Sequence, residues 1–410
     1  MIYRLTRPVS PLTASVVLPA SKSISNRLLI IHALSRDAGG LENLSDSDDT
    51  QLLSQALAST STIKDVGHAG TSMRFLTAYY SIQPETITMT GSERMKQRPI
   101  GALVEALRLL GAQISYLENE GFPPLEIHGT NLNGGEINID GSISSQFISA
   151  LLMVAPYMKN GLKMQMKGTI VSASYIKMTL ELMQRYGASY SWKEKAITVF
   201  PGEYEKGSYR VESDWSAASF WYAISLLGPH PAIKLGQLHE KSLQGDSVLV
   251  EIFSELGLLS EFERENITIS RMADIAPSQF SYDFTNCPDL VQSMAVALCM
   301  ASIPFRFTGT QTLRIKETDR IAALQSELKK LGYLLDSDPE ASFLSWNGEM
   351  CDPETDPLIE TYHDHRMAMA FAEAAMVRDS VRINDPMVVT KSYPRFWEDL
   401  RKAGFQVDIV

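Results

Sequence analysis

Cysteine is scarce in this 410-residue chain, which has only Cys287, Cys299 and Cys351. Three scattered thiols cannot make a disulfide framework or a thiolate metal cluster, and Cys299, inside an apolar helical run, reads as a small core residue. Net positive charge is missing too. A formal charge of −11 argues against a nucleic-acid or membrane-surface partner, both of which call for a basic face. No apolar run approaches the roughly 20 residues that span a bilayer, and residues 1–8 lack the apolar stretch of a signal peptide. The expectation is a cytoplasmic protein in a reducing compartment. Neither a Gly-x-x-x-x-Gly-Lys-Ser/Thr loop nor a Gly-x-Gly-x-x-Gly after a strand is present, which disfavours a nucleotide-fuelled kinase or a dinucleotide enzyme. His363-Asp364-His365 has no third ligand at metal-site spacing, so no metal is expected. What the chain does have is apolar residues, 44% of the total, enough to fill two cores.

Those apolar residues repeat. A strand-like run, a short polar turn and a helix rich in Ala, Leu and Met recur with helices at 21–34, 70–81, 144–155, 216–227, 289–301 and 365–376. An amphipathic second helix follows each. Five of these six second helices end in glycine, at Gly111, Gly187, Gly257, Gly332 and Gly404, the residue that tolerates the positive φ of a helix stop. Strand-like alternation follows several of the stops, as at 113–116 and 196–200. The helix starts at 21, 70, 144, 216, 289 and 365 differ by 49, 74, 72, 73 and 76. That period is too long for a solenoid repeat and fits a βαβαββ block. The short first interval leaves that block without its last two strands.

The first helix of each block is apolar on nearly every face, as in 147–154, and must therefore be buried. Sheets then lie outside, an inside-out α/β barrel. Six units divide three and three. Domain I is expected at 1–20 and 214–410 and domain II, with the shortened unit, at 21–213. The two crossings, near Ala20-Ser21 and Ser213-Asp214, would be the hinge.

Positive charge gathers where helices start. Lys22 and Arg27 flank the first start, Arg74 lies near the second and His365-Arg366 opens the sixth, while Ser144, Ser145, Gln146 and Ser216 add neutral donors. A helix start already carries partial positive charge, so cations there are misplaced unless an anion sits against them. Parallel, buried first helices would bring these starts to one end of each domain. Arg94, Lys96 and Arg98 alternate, which would put three cations on one face of an extended segment, with Pro99 opening the next helix. Plainer readings exist: a capped surface helix and a solvated basic loop. Lys316-Glu317-Thr318-Asp319-Arg320 opens another helix. Glu317 is then either an ordinary first-turn acid or a proton-transfer group between two substrate-binding cations. Lys391 occupies the corresponding turn one block later.

Taken in order, Ser21-Lys22-Ser23-Ile24-Ser25-Asn26-Arg27, Ala69-Gly70-Thr71, residues 94–99, Ser144-Ser145-Gln146, residues 316–320 and Asp364-His365-Arg366-Met367-Ala368-Met369 resemble the 5-enolpyruvylshikimate-3-phosphate synthase family. The resemblance runs from the first strand to Lys391-Ser392-Tyr393-Pro394. It implies a two-domain fold with three βαβαββ units per domain. The implied reaction moves the enolpyruvyl group of phosphoenolpyruvate to the 5-hydroxyl of shikimate 3-phosphate and releases phosphate, by addition and elimination through a tetrahedral ketal. No cofactor is implied, the family is typically monomeric, and glyphosate would occupy the phosphoenolpyruvate site around Gly70.

Carried over residue by residue, the resemblance assigns shikimate 3-phosphate to Lys22, Ser23, Arg27, Ser144, Ser145, Gln146, Ser172, Tyr175, Asp289 and Lys316. It assigns phosphoenolpyruvate to Lys22, Gly70, Arg98, Gln146, Arg320, Arg366 and Lys391. Lys22, Asp289 and Glu317 are the implied proton-transfer and catalytic groups, and the division of roles among them stays open. His68, Ala173-Ser174 and Thr312 depart from the family pattern of Asn, a basic residue with proline, and Asn respectively. Three alternatives stand beside this. The sister transferase acting on UDP-N-acetylglucosamine usually has a cysteine in the loop corresponding to 91–99, where this chain has none. An RNA 3′-phosphate cyclase would want a nucleotide site and a catalytic histidine. An inactive anion-binding relative would not need Lys22, Asp289 and Glu317 intact.

Overall fold

The computed structural model describes residues 1–9, 12–35, 39–272 and 277–410. By contacts the chain forms two compact units, a continuous one, Ala20–Val211, and a discontinuous one, Met1–Pro19 with Glu212–Val410.

In the continuous unit the helices Lys22–Leu34, Gly70–Tyr80 and Ser145–Val154 pack on one another at the centre. Every residue from Phe147 to Val154 is buried, as an all-round apolar helix requires. Outer helices Asp48–Ala58, Gly101–Leu109 and Ala173–Arg185 carry one apolar stripe each. One four-stranded sheet runs Ile63–Asp65, Thr86–Thr90, Leu125–His128, Gln113–Tyr116, and another Gly135–Asp140, Leu162–Lys167, Ala196–Val199, Tyr190–Lys193. In both, the first pair is parallel and the other two antiparallel. A parallel pair needs a long crossover, and the inner helix supplies it. Alternation sets the faces: Ile137, Met164 and Met166 point inward while Glu136 and Lys163 form an exposed ion pair.

The discontinuous unit repeats the design around Trp215–Leu227, Val291–Met300 and His365–Ala372. Its three four-stranded sheets have the same parallel–antiparallel–antiparallel pattern. The last is closed by the N-terminal strand Ile2–Thr6, which lies between Val381–Asn384 and Gln406–Ile409.

The shortened first block has only a two-stranded sheet, Tyr209–Arg210 parallel to Leu41–Glu42. Its outer helix also lacks a glycine stop and ends at Ser59 with φ −73°. The other five stops, Gly111, Gly187, Gly257, Gly332 and Gly404, all have φ between 87° and 109°. One feature follows from the two crossings, which the sequence reading puts near 20–21 and 213–214. Thr13–Val17 runs into helix Lys22–Leu34 yet pairs with Ala232–Gly236, and Tyr209–Arg210 runs into Trp215–Leu227 yet pairs with Leu41–Glu42. The two leading strands are exchanged because the chain passes from one unit to the other between strand and helix.

Candidate active site

In the continuous unit the candidate residues meet at the starts of the three inner helices. Ser21 caps the first by accepting from Ile24 N, and Lys22 Nζ lies 3.3 Å from Asp49 Oδ2. Asp49 belongs to the outer helix Asp48–Ala58, and its carbonyl accepts from Ser72 Oγ at 3.0 Å, tying that helix to the second inner one. His68 Nε2 lies 3.8 Å from Asp48 and 3.9 Å from Asp49, so this departure from the family pattern adds an imidazole beside the carboxylate that Lys22 meets. Gln146 Nε2 donates to Thr71 Oγ1 at 3.1 Å and joins the second and third helix starts.

Arg27 is buried one turn into its helix. Its Nε donates to Thr179 Oγ1 at 2.7 Å, Nη1 to the Ser23 carbonyl at 2.9 Å, and Nη2 to Ser149 Oγ at 3.1 Å and the Tyr175 carbonyl at 3.4 Å. None of these partners is charged, and burial pushes the guanidinium down to about 10. Arg98 lies across Gly70. A Cβ there would fall 2.5 Å from Arg98 Nη1 and 2.9 Å from Cζ, so only glycine lets the guanidinium settle against the helix start. Arg98 Nε has no hydrogen-bond partner among the described residues. Ser144 caps the third helix, with Ser145 its first residue. Ser172, which precedes helix Ala173–Arg185, holds a left-handed φ of 54°, an uncommon conformation for a residue with a side chain.

In the discontinuous unit carboxylates and cations interlock. Arg320 opens helix Arg320–Lys330 and binds Asp364 (Nε to Oδ2, 2.7 Å), Asp289 (3.1 Å) and Glu317 (2.9 Å). Burial alone would lower its pKa, but Asp364, Glu317 and Asp289 outweigh burial and raise it. Arg366 Nη2 is 3.0 Å from Asp289 Oδ2, and its Nη1 donates to the Asp289 carbonyl at 3.1 Å. Desolvation lowers the Lys316 pKa, with Asp289 pulling it back up. Lys391 Nζ donates to the His363 carbonyl at 2.7 Å. Asp246 is buried, with Oδ2 accepting from Ser216 Oγ and Oδ1 unpartnered among the described residues. Burial first and Asp289 second push its carboxyl up to about 7, and Arg366 opposes them.

Two expectations need correction. Residues 94–99 are not an extended strip of three cations. Met95–Gln97 is a 3₁₀ turn, Lys96 pairs with Glu93 and Glu118, and helix Gly101–Leu109 starts after Ile100 rather than at Pro99. The turn forms because Arg98 has Gly70 to pack on and Lys96 has surface acids. Arg74 is a brace for this loop: its guanidinium donates to the carbonyls of Gly70 and Pro99. Sequence reasoning missed Asp49 and Asp246, and quoted Thr71 only as part of a motif, with no contact assigned. An acid in the first turn of an outer helix looks like ordinary helix chemistry, and the Gly245–Val248 turn carries no motif. Among the described residues no group of three or more His, Cys, Asp or Glu is placed to hold a metal ion.

The family model "EPSP synthase (3-phosphoshikimate 1-carboxyvinyltransferase)" matches residues 53–400. The chain is 52% identical over 410 residues to a 3-phosphoshikimate 1-carboxyvinyltransferase of Bacteroides fragilis (strain YCH46), covering all of this chain and 99% of that protein. It is 36% identical to the protein of that name from Methanospirillum hungatei, with 96% of each covered. A solved EPSP synthase structure from Acinetobacter baumannii superposes with a TM-score of 0.79 over the whole of both chains at 22% identity, a likeness of fold.

Proposed function

The chain belongs to the EPSP synthase (3-phosphoshikimate 1-carboxyvinyltransferase) family, and from that premise we propose which of its residues carry the reaction. The reaction moves the enolpyruvyl group of phosphoenolpyruvate to shikimate 3-phosphate, in the pathway to aromatic amino acids. The acceptor oxygen adds to the central carbon of phosphoenolpyruvate, the hydroxyl proton leaves, and the methylene carbon gains a proton to give the tetrahedral ketal. Loss of phosphate and of a methyl proton then restores the double bond.

The observation that carries the residue assignment is the gathering of Asp289 and Glu317 on one guanidinium, Arg320. Asp289 serves the acceptor hydroxyl, Glu317 the methylene carbon, and Lys22 the oxygens between which the group passes. Glu317 is 26% and Asp289 18% exposed, enough access for a proton-transfer group held in a fixed geometry. Shikimate 3-phosphate falls to Lys22, Ser23, Arg27, Ser144, Ser145, Gln146, Ser172, Tyr175, Asp289 and Lys316. Phosphoenolpyruvate falls to Lys22, Gly70, Arg98, Gln146, Arg320, Arg366 and Lys391. Arg320 directs its donors at three carboxylates, so its share in holding phosphoenolpyruvate requires Glu317 to leave Nη2. Cations and helix starts neutralise the phosphate charge, and the proposal uses no metal or cofactor.

We further infer a cytoplasmic monomer with no nucleic-acid or membrane partner. In support, no helix among the described residues is long and apolar enough to cross a membrane. The deciding assay is phosphate release from phosphoenolpyruvate with shikimate 3-phosphate or UDP-N-acetylglucosamine as acceptor. Release with shikimate 3-phosphate alone is expected. Release only with the nucleotide sugar, or with neither, overturns the assignment.

A further inference from the structure

Tyr362 and His363 are consecutive residues with side chains, and both are left-handed, with φ of 53° and 55°. Such backbone persists only where its surroundings impose it. The pair stands immediately before Asp364, the N-cap of the inner helix whose second residue is Arg366. Its surroundings do impose it. Glu327, fully buried on helix Arg320–Lys330, accepts from Tyr362 Oη at 2.7 Å through Oε1. Its Oε2 accepts from Glu360 N at 3.0 Å and Lys330 Nζ at 2.7 Å. His363 Nδ1 lies 2.9 Å from Asp385 Oδ2, but that pair is largely exposed and correspondingly weak. Arg320 and Glu327 are seven residues apart on one helix and share a face. That face grips the segment 360–364 at three residues, through Arg320–Asp364, Glu327–Tyr362 and Glu327–Glu360 N.

The imposed turn has a product. It aims the His363 carbonyl at Lys391 Nζ, 2.7 Å away, and sets the helix start that carries Arg366. We propose that Tyr362 and Glu327 are positioning residues of the active site, holding a strained turn that places Lys391 and Arg366 for the anionic donor substrate. The proposal rests on the reading that those two cations hold phosphoenolpyruvate.

The test compares Tyr362→Phe with Lys391→Met in steady-state kinetics, with thermal denaturation alongside. Tyr362→Phe removes one hydrogen bond to a buried carboxylate, and KM for phosphoenolpyruvate is expected to rise about tenfold while KM for shikimate 3-phosphate stays within about twofold. Should Tyr362→Phe prove too unstable to assay, Tyr362→Leu, which also loses the hydrogen bond to Glu327 and keeps a side chain at the left-handed position, carries the same test with the same expectation. A rise in Lys391→Met but none in the Tyr362 variant overturns the proposal, as does a lowered Tm with unmoved kinetic constants. An unmoved KM in Lys391→Met removes Lys391 from the reading, and the Tyr362 variant is then judged by the same KM through Arg366. No rise there overturns the proposal as well.

Discussion

The two units handle charge in opposite ways. In the continuous unit, buried Arg27 has four partners, all neutral, and the Nε of Arg98 has none among the described residues. In the discontinuous unit, Arg320 alone takes three carboxylates and Arg366 shares one of them. The first arrangement is costly when empty. A guanidinium pushed from 12.5 to about 10 represents about 3 kcal/mol of stability given up at neutral pH. The second is neutralised from within. Lys22 meets Asp49, but Arg27 and Arg98 lack carboxylate partners among the described residues and suit an anionic ligand, while a site crowded with carboxylates suits holding and moving protons.

The comparison is broken most severely on the carboxylate side. Glu317→Gln keeps size but can neither give nor take a proton, so turnover should fall roughly 10²–10⁴-fold with shikimate 3-phosphate affinity little changed. Single-turnover kinetics and a binding titration check this. A variant within a few-fold of the parent would return Glu317 to an ordinary surface charge. Next comes the cation side. Arg27→Met should weaken shikimate 3-phosphate about 100-fold or more by calorimetry, yet leave the empty protein as stable or more stable, because an uncompensated buried charge has been removed. A large loss of Tm would mean that Arg27 serves the core rather than the ligand.

How far the sequence carried depended on what kind of signal each feature leaves. The inner helices were legible because burial on every side forces apolar residues on every face, and glycine stops mark where the chain must take positive φ. The shortened block was legible because a missing pair of strands shortens the spacing. The boundaries at 20–21 and 213–214 already put Thr13–Val17 and Tyr209–Arg210 in the units where they pair. Their partner strands were not legible, since adjacency along the chain says nothing of which strand lies beside which. The candidate cations and Glu317 were named from the motifs that hold them, and Asp289 from the family resemblance alone. Asp49, Glu327, Tyr362 and Asp246, which steady or tune them, were not. Each has the local context of a surface polar residue, and only the fold turns it inward. Likewise nothing in the text of Ser172 announces a left-handed backbone.

Gly70→Ala probes the anion-short side more gently. The new methyl would meet the far end of a flexible side chain, at 2.5 Å from Arg98 Nη1, so the helix can stay and the guanidinium must swing away. KM for phosphoenolpyruvate should rise about tenfold with kcat largely kept, since binding is weakened more than chemistry. Glyphosate inhibition, expected to compete with phosphoenolpyruvate, should weaken at least as much. Unchanged KM and inhibition together would mean that Arg98 does not meet the ligand.

The smallest effect concerns the surplus of carboxylates. Asp214, Asp246, Asp289, Glu317 and Asp364 are five acids around three cations, Lys316, Arg320 and Arg366. Acids are therefore in excess, and the buried Asp246 is pushed up to about 7, chiefly by desolvation and then by Asp289. Because its folded pKa lies above the unfolded value of 3.8, the native state binds more proton between about pH 4 and pH 7. Stability should fall as pH rises through that window and level off above it. Asp246→Asn cannot titrate, so its stability relative to the parent should grow across the same window and then stay constant. Relaxation and hydration of the buried site on ionisation hold the change to the order of 1–2 kcal/mol. Chemical denaturation of both proteins at several pH values from 4.5 to 8, about the span of the transition, reads the difference directly. A pH-independent difference would place the excess charge on another acid, and the two units would then differ in their cations alone.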